Sequence, residues 1–350
     1  MRHKVPIRRA LLKKRTHDLP SSGRENMLRL DLNENTSGCS PRVPKALARL
    51  SPTTIAMYPE YEKPAKKIAR YFGVKREEMI LCNGADDSLR LFFDGFVDAG
   101  TTVLICDPTF PMYRFYAENF GARIHALRYP EDMSFPLAEF LAALRHKPRL
   151  AIVANPNNPT GTLLDQHKLT RIAEAATETA IVIDEAYADF SGVTVIPWFR
   201  RFPHLFAVRT FSKAAGLAAL RLGCVLGNAK PISVLRAAMP PYAVNLAALV
   251  AAEAAIADRG AIHRYVQKVK ALRMQFAEAL GAMGVHVYPS AGNFILADFG
   301  PSGPALFRKL ERRGILVRAR THDMGPGFVR ITIGTHAEMT RLLREIRRNR

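Results

Sequence analysis

The chain has 350 residues, of which 48% are hydrophobic and 23% are charged, so it can bury a large core and does not have the composition of a disordered protein. Its formal net charge of +20 suggests an anionic partner such as nucleic acid, but a solvated basic surface gives the same charge. The four cysteines are widely spaced without a CxxC pair, which argues against a metal site and against a disulfide framework.

Much of the positive charge lies at the two ends of the chain. Residues 2–29 contain nine lysines or arginines against Asp18 and Glu25, and the final ten residues contain five arginines and Glu345. We interpret both ends as solvated basic surface and predict no nucleic-acid partner. The first residues lack the apolar core of a secretory signal, and the thiols fit a reducing compartment, so we predict a cytoplasmic protein.

Strands and helices alternate through most of the chain. The stretch MLRLDLNENTSG predicts a short strand and a turn, and KPAKKIARYFGV predicts an amphipathic helix that ends at Gly73. Four apolar, β-branched runs follow, with helical segments such as LLDQHKLTRIAEAATE between them: TTVLICDPTF, RLAIVANPNNPTG, TAIVIDEAY and LFAVRTFS. This alternation predicts an α/β fold, a three-layer αβα domain with a mostly parallel sheet covered by helices on both faces.

The pattern changes after about residue 255. The most apolar segment, AVNLAALVAAEAAIA, is too short to cross a membrane and contains Asn245 and Glu253, so we predict no membrane partner. A long helix, hairpin-like strands and a shorter helix then predict a smaller α+β domain. We predict a large domain at 44–255 and a small domain formed by 1–43 and 256–350.

Polar residues stand at the ends of several predicted strands, where ligands bind in parallel sheets. The segment ILCNGADDSLRLFF places Ala85 and Asp86 at a strand-to-helix turn, where free backbone N–H groups can bind phosphate. Taken alone, Asp86 is more simply a helix N-cap. The turn ANPNNPTG, which contains Asn158, is by itself an ordinary Pro/Asn turn.

Two further strand ends carry ionisable groups. Asp184, Glu185 and Tyr187 close an apolar strand, and a buried carboxylate there needs a cationic partner, although one of the two acids could cap a helix. Lys213 follows LFAVRTFS within a run of small and apolar residues, where an amine loses its proton more readily and can form a Schiff base. Arg221, eight positions later, has the donors to bind a phosphate.

One cofactor accounts for all these features. Pyridoxal 5'-phosphate needs a lysine for its aldehyde, an acid for its ring nitrogen, donors for its phenolic oxygen and a phosphate site. The ordered motifs NGAD, DPTF, NPNNPTG, DEAY, TFSK and GLAALRLG resemble those of the fold-type I pyridoxal-phosphate-dependent aminotransferases, and the histidinol-phosphate aminotransferase branch in particular. The resemblance extends from about residue 29 to the end of the chain.

The resemblance implies a role for each matching residue. Lys213 would form the imine and shuttle the proton, Asp184 would pair with the ring nitrogen, and Tyr187 and Asn158 would bind the phenolic oxygen. Phe110 would stack on the ring in place of the usual tyrosine. The phosphate would be bound by the backbone amides of Ala85 and Asp86, by Thr210, Ser212 and Arg221, and by Tyr58 from a neighbouring subunit, so a homodimer is implied.

The resemblance also predicts the substrate side of the site. Arg330 would bind the substrate carboxylate, and Arg318 and Asn33 would lie near the distal group of the substrate. The opening motif departs from the family pattern, since Thr36 and Ser37 replace the usual proline and tyrosine. Ser37 could still donate a hydrogen bond to a substrate phosphate.

The implied reaction is transamination between L-histidinol phosphate and 2-oxoglutarate, giving imidazole-acetol phosphate and L-glutamate. Two alternatives on the same scaffold are an aromatic amino-acid transaminase and a phosphothreonine decarboxylase. A third, a pyridoxal-phosphate-binding transcription regulator, would need a winged helix before the aminotransferase-like part, and only about 28 residues precede the first motif.

Overall fold

Residues 23–349 are described by the computed structural model, and their strands form two sheets. The strands are β1 (Leu28–Leu30), β2 (Met79–Cys82), β3 (Thr102–Asp107), β4 (Arg123–Arg128), β5 (Leu150–Ala154), β6 (Ala180–Asp184), β7 (Leu205–Thr210), β8 (Gly223–Gly227), β9 (His286–Tyr288), β10 (Phe294–Asp298), β11 (Ile315–Ala319) and β12 (Phe328–Thr332).

The larger sheet has seven strands in the order β2-β8-β7-β6-β5-β3-β4. Strand β8 is antiparallel to both of its neighbours, and the pairs from β7 to β4 are all parallel. The carboxyl ends of β3, β5, β6 and β7 therefore lie at one edge of the sheet. The polar segments that follow these strands are brought together there, as the sequence predicted.

Both faces of this sheet are buried. In β5, Ala151 and Val153 belong to one hydrophobic core, while Leu150, Ile152 and Ala154 belong to another. Because successive side chains of a strand point to opposite faces, the two cores lie on opposite sides of the sheet. The predicted α/β fold, with helices packed on both faces of a mostly parallel sheet, is confirmed.

Helices cover these faces and connect the strands. The α-helices are Arg42–Leu47, Pro52–Ile55, Glu62–Phe72, Gly84–Phe96, Met112–Asn119, Leu137–Leu144, Gln166–Ala175, Ala188–Ser191, Ala229–Leu235, Leu246–Ile256, Arg259–Gly281, Gly303–Arg312 and His336–Asn349. The predicted helix end at Gly73 is correct, since this glycine closes Glu62–Phe72 with a left-handed φ of 74°. Within residues 23–349, no helix has both the length and the apolarity to span a membrane.

The smaller sheet joins the two ends of the described chain. Its order is β1-β11-β12-β10-β9, with β1 parallel to β11 and the other pairs antiparallel. The N-terminal strand therefore belongs with the C-terminal strands. The domain boundaries at 43/44 and 255/256 stay a prediction, and the parts of the predicted small domain and basic ends at 1–22 and at Arg350 lie outside the described residues.

Candidate active site

A cavity of about 260 Å³ opens at the carboxyl edge of the larger sheet. The predicted site residues that line it are Ala85, Asp86, Phe110, Asn158, Asp184, Tyr187, Thr210, Ser212, Lys213, Arg221 and Arg330. Asn33, Tyr58 and Arg318 do not line it. Segments that lie more than 200 residues apart in the sequence thus meet in one place.

Lys213 follows β7 and extends into this cavity. Its Nζ donates a hydrogen bond to the backbone carbonyl of Leu32, at 2.9 Å. Burial, together with the nearby Arg330 guanidinium, lowers the pKa of Lys213 to about 8. The amine is therefore partly unprotonated near neutral pH, which is the form that attacks a carbonyl carbon.

Asp184 closes β6 and places a buried carboxylate in the cavity. Its Oδ2 accepts a hydrogen bond from the Tyr113 hydroxyl at 2.7 Å, and its Oδ1 accepts one from the backbone N–H of Ala186 at 3.0 Å. Burial raises the pKa of Asp184, and these two donors oppose that rise. A cation bound beside Asp184 would offset the cost of burying its charge.

Glu185 points away from the cavity. Its carboxylate accepts hydrogen bonds from the Val195 backbone N–H at 2.7 Å and from the Arg209 guanidinium at 3.2 Å. The predicted helix N-cap role for one of the two acids is wrong, because the next helix, Ala188–Ser191, has Tyr187 at its N-cap. The side chains of consecutive residues point in opposite directions here, so that Asp184 enters the cavity and Glu185 enters the protein interior.

An anion-binding corner lies where helix Gly84–Phe96 begins. The N-cap is Asn83, with no side-chain cap, so the predicted N-cap role of Asp86 is wrong: the helix starts two residues before it. Asp86 instead accepts a hydrogen bond from Arg221 at 2.9 Å. A Cβ added at Gly84 would lie 2.6 Å from the Arg221 guanidinium, so the absence of a side chain there makes room for that cation.

The hydroxyls of Thr210 and Ser212 complete this corner. The Thr210 hydroxyl donates to the Ser212 Oγ at 3.0 Å, and both residues are buried. A Cβ at Gly223 would lie 2.6 Å from the carbonyl carbon of Gly84, so the strand and the helix start pack backbone to backbone. Free N–H groups, two hydroxyls and a guanidinium at a helix N-terminus form a phosphate site.

Arg330 lies on β12, a strand of the smaller sheet, whereas Thr210 and Gly223 lie on strands of the larger sheet. Its guanidinium donates to Asn158 Oδ1 at 2.5 Å and to the backbone carbonyl of Asp31. Because Asn158 accepts through its oxygen, its amide NH₂ remains a donor. Burial, together with the charges of Arg320 and Arg318, lowers the pKa of Arg330 to about 10. Arg318 is the cross-strand partner of Arg330, on the same face of the sheet, and is exposed.

Asn33 lies behind the cavity wall and is fully buried. Its side-chain amide donates to the Tyr187 hydroxyl at 2.9 Å, and its backbone N–H donates to Thr332 Oγ1 at 3.0 Å. Its carbonyl accepts a hydrogen bond from Asn293 Nδ2 at 3.1 Å. These bonds hold Asn33 in a left-handed conformation, with φ of 54°, that asparagine adopts more readily than most residues.

Phe110 lines the cavity, whereas Tyr58, Thr36 and Ser37 lie outside it. Phe110 lines the cavity and packs edge-on against Tyr113, with ring centroids 5.8 Å apart. The Tyr58 side chain is 77% exposed and stacks on Tyr242, with centroids 4.2 Å apart. Ser37 is exposed and does not line the cavity, and the Thr36 hydroxyl instead donates to Glu338 at 2.5 Å.

Sequence reasoning missed residues that hold the lining in place. Tyr113 bonds Asp184, and Thr332 and Asn293 hold Asn33. The three-residue spacing from Phe110 to Tyr113 could have indicated that both side chains face the same side of a helix start. The backbone carbonyls of Asp31 and Leu32 leave no signal in the sequence, because every residue carries one.

The arrangement fits pyridoxal 5'-phosphate. It offers an amine with a lowered pKa, a buried carboxylate that forms no salt bridge within residues 23–349, and a phosphate corner where added Cβ atoms would collide. The family model for aminotransferase class I and II matches residues 25–346. The chain belongs to this family of aminotransferases, and it is a pyridoxal-phosphate-dependent enzyme.

Individual proteins similar to this chain include several histidinol-phosphate aminotransferases. The chain is 37% identical to the histidinol-phosphate aminotransferase of Roseiflexus castenholzii (91% of this chain, 88% of that protein) and 34% identical to that of Geobacillus sp. strain WCH70 (92% and 89%). The crystal structure of histidinol-phosphate aminotransferase from Sinorhizobium meliloti, in complex with pyridoxal-5'-phosphate, has a TM-score of 0.84 at 25% identity (92% of this chain, 91% of that chain). The family expected from the motifs is confirmed.

Proposed function

We propose that this protein transfers an amino group from L-histidinol phosphate to 2-oxoglutarate, giving imidazole-acetol phosphate and L-glutamate, and the reverse. The observation that carries the proposal is the cavity shared by Lys213, Asp184, Arg221 and Arg330, in a chain whose relatives are named histidinol-phosphate aminotransferases. The lysine, the carboxylate and Arg221 suit the cofactor, and Arg330 suits an anionic substrate. This combination favours a substrate that carries a carboxylate or a phosphate.

Each part of the cofactor has residues that would hold it. Lys213 would bond its aldehyde carbon, Asp184 would face the ring nitrogen, and Phe110 would stack on the ring. Tyr187 and the free NH₂ of Asn158 would donate to the phenolic oxygen. The phosphate would be held by the backbone amides of Ala85 and Asp86, by the hydroxyls of Thr210 and Ser212, and by Arg221.

The residues of the chain perform the proton chemistry. When bound, pyridoxal phosphate supplies an aldehyde that condenses with the substrate amine and a ring that accepts the electron pair left at the α-carbon. Lys213 would take up the α-proton of the substrate on Nζ and would return it to the reacting atoms. Its pKa of about 8 suits both steps, because the amine can accept and release a proton near neutral pH. Asp184 holds the proton on the ring nitrogen.

Arginines on β11 and β12 would bind the substrates. Arg330 would bind the carboxylate of glutamate, exchanging part of its contact with Asn158 and Asp31 for the substrate. Arg318, exposed and on the same face, would attract the distal phosphate or carboxylate of the substrate. One site can then take two different anionic substrates, because a guanidinium binds carboxylate and phosphate alike.

The proposed assembly is a cytoplasmic homodimer. Tyr58 is too exposed to serve the cavity of its own chain, and it stands beside Tyr242 and near the exposed Met57 and Ile55. A second subunit would bury this apolar surface, with Tyr58 of one subunit reaching the phosphate held by the other. Sedimentation analysis tests the dimer, and cofactor affinity of Tyr58→Phe tests the reach across the interface.

A survey of half-reactions tests the proposed substrate. The cofactor-loaded enzyme is mixed with histidinol phosphate, phenylalanine, glutamate or phosphothreonine, and the conversion of the cofactor to its amine form is followed by absorbance. We expect conversion with histidinol phosphate and with glutamate. Preference for phenylalanine would establish an aromatic transaminase instead, and carbon dioxide released from phosphothreonine would establish a decarboxylase.

A further inference from the structure

Tyr113 contacts the Asp184 carboxylate from within the protein. It lies in the first turn of helix Met112–Asn119, is 1% exposed, and places its hydroxyl 2.7 Å from Asp184 Oδ2. Burial holds the pKa of the Tyr113 phenol well above its usual range, so the hydroxyl keeps its proton. Tyr113 is therefore the donor of this bond, and Asp184 Oδ2 is the acceptor.

This hydrogen bond acts against the effect of burial on Asp184. Burial and the Asp86 carboxylate raise the pKa of Asp184, whereas the Tyr113 hydroxyl, the Ala186 backbone N–H and the Lys213 amine lower it. The other ionisable groups that line the cavity with Asp184 are Glu34, Asp86, Tyr113, Tyr187, Lys213, Arg221 and Arg330. Among the influences that lower the pKa, the Tyr113 bond is the largest.

We propose that Tyr113 is a positioning residue for Asp184: its hydroxyl keeps the carboxylate ionised in a buried site and fixes its orientation toward the cavity. This inference rests on the proposed role of Asp184 as partner of the ring nitrogen. The Tyr113 ring also backs the Phe110 ring edge-on, so one residue supports both the acid and the stacking surface. Tyr113 does not itself exchange a proton in the reaction.

The inference predicts a pH-dependent defect when the hydroxyl is removed. In Tyr113→Phe the carboxylate loses a donor, so it takes up a proton at a higher pH than in the parent protein. A protonated Asp184 cannot pair with a protonated ring nitrogen. Affinity for pyridoxal phosphate should therefore fall about tenfold at about pH 6, the size expected for one hydrogen bond to a charged group, and change little at about pH 8.

Two measurements on the full-length protein test this. Aspartate labelled with ¹³C reports the titration of Asp184 in the cofactor-free protein, with Asp184→Asn identifying the signal. Equilibrium titration with pyridoxal phosphate at both pH values gives the affinity ratio. The matched control is Tyr116→Phe, which removes a hydroxyl from the same helix at a residue that does not line the cavity.

We expect the Asp184 signal to titrate at higher pH in Tyr113→Phe, with Tyr116→Phe like the parent. An unchanged titration, or an equal loss of affinity at both pH values, would overturn the inference. Failure of the proposed function looks different, because histidinol phosphate and glutamate would then leave the cofactor of the parent protein unconverted, whatever the Asp184 titration shows. The pH dependence of turnover, with its acid limb shifted upward in Tyr113→Phe, is a further readout.

A second substitution guards against a folding defect. Fluorotyrosine placed at position 113 keeps the ring and the hydroxyl but makes the phenol more acidic, and hence a stronger donor. It should shift the Asp184 titration to lower pH, opposite to Tyr113→Phe. Shifts in the same direction for both variants would indicate altered packing and contradict the role of the hydroxyl.

Discussion

The two sides of the cavity are built differently. On the side of the seven-stranded sheet, Asp184 is the last residue of β6, and Lys213 lies three residues after the end of β7, the parallel neighbour of β6. On the other side, Arg330 comes from β12 and bonds the carbonyl of Asp31, 299 residues away in the sequence. The first side is assembled by one sheet, and the second by contacts between the two ends of the chain.

The residues proposed to act on the cofactor thus come mainly from the larger sheet, and the arginines proposed to bind the substrate come from the smaller sheet. Residues at the ends of buried strands have fixed backbone positions, which suits groups that must stay aligned with a cofactor ring. The arginines and the segment around Asn33 depend on the smaller sheet for their placement. Substitutions on the first side should therefore abolish chemistry, whereas those on the second should weaken substrate binding and spare the cofactor.

The largest expected effect is that of Lys213→Ala. Without the amine, covalent attachment of the cofactor and proton transfer both disappear, so turnover should fall by more than about a thousandfold. The visible absorbance of lysine-bound pyridoxal phosphate should also be lost. Lys230→Ala, an exposed lysine on helix Ala229–Leu235, is the matched control. If the variant kept the absorbance, another lysine would be the attachment site.

Asp184→Asn and Glu185→Gln compare the two neighbouring acids at the end of β6, one in the cavity and one in the interior. Asp184→Asn should lower kcat by roughly a hundredfold to a thousandfold while some cofactor still binds, because the ring nitrogen loses its counter-ion. Glu185→Gln should instead lower the free energy of unfolding by about 1–3 kcal/mol, since it weakens a buried contact with Arg209. Steady-state kinetics and urea unfolding measure the two effects. A loss of kcat in Glu185→Gln, with only a loss of stability in Asp184→Asn, would show that Glu185 is the catalytic acid.

The substrate side is tested by Arg330→Gln. Loss of the guanidinium should raise KM for glutamate by about fiftyfold and leave pyridoxal phosphate affinity within about threefold of the parent. Arg318→Gln, at the exposed cross-strand position, should raise KM for the phosphorylated substrate by only about fivefold. Loss of cofactor affinity in Arg330→Gln would show that the two sides are not separable.

The smallest expected effect is a pH dependence of Lys213. Only the neutral amine attacks an aldehyde, so the rate at which the cofactor-free protein combines with pyridoxal phosphate should rise with pH and level off above about pH 8, where Nζ is mostly unprotonated. Stopped-flow absorbance gives this profile. A rate that kept rising through about pH 10 would mean that burial does not lower the pKa of this lysine.

The sequence predicted the first side of the cavity better than the second. Asp184 and Lys213 could be found because apolar runs end at them, and because parallel strands bring their carboxyl ends together. Strand patterns alone left open which of Asp184 and Glu185 enters the cavity, and only the family resemblance assigned the ring nitrogen to Asp184. The choice depends on the contacts of Glu185 with Val195 and Arg209. Asn33 was expected beside the substrate, whereas the structure places it behind the wall, bonded to Tyr187. Its partners come from the distant end of the chain, which local patterns do not show.

The bonds of Asn33 have a mechanical consequence. Its backbone is bonded to Thr332 and Asn293, at the edge of the five-stranded sheet, while its side chain is bonded to Tyr187, next to the seven-stranded sheet. A rigid-body rotation of the smaller sheet would carry Asn33 along and stretch its link to the phenol. Any such rotation would therefore be coupled to the orientation of the Tyr187 hydroxyl.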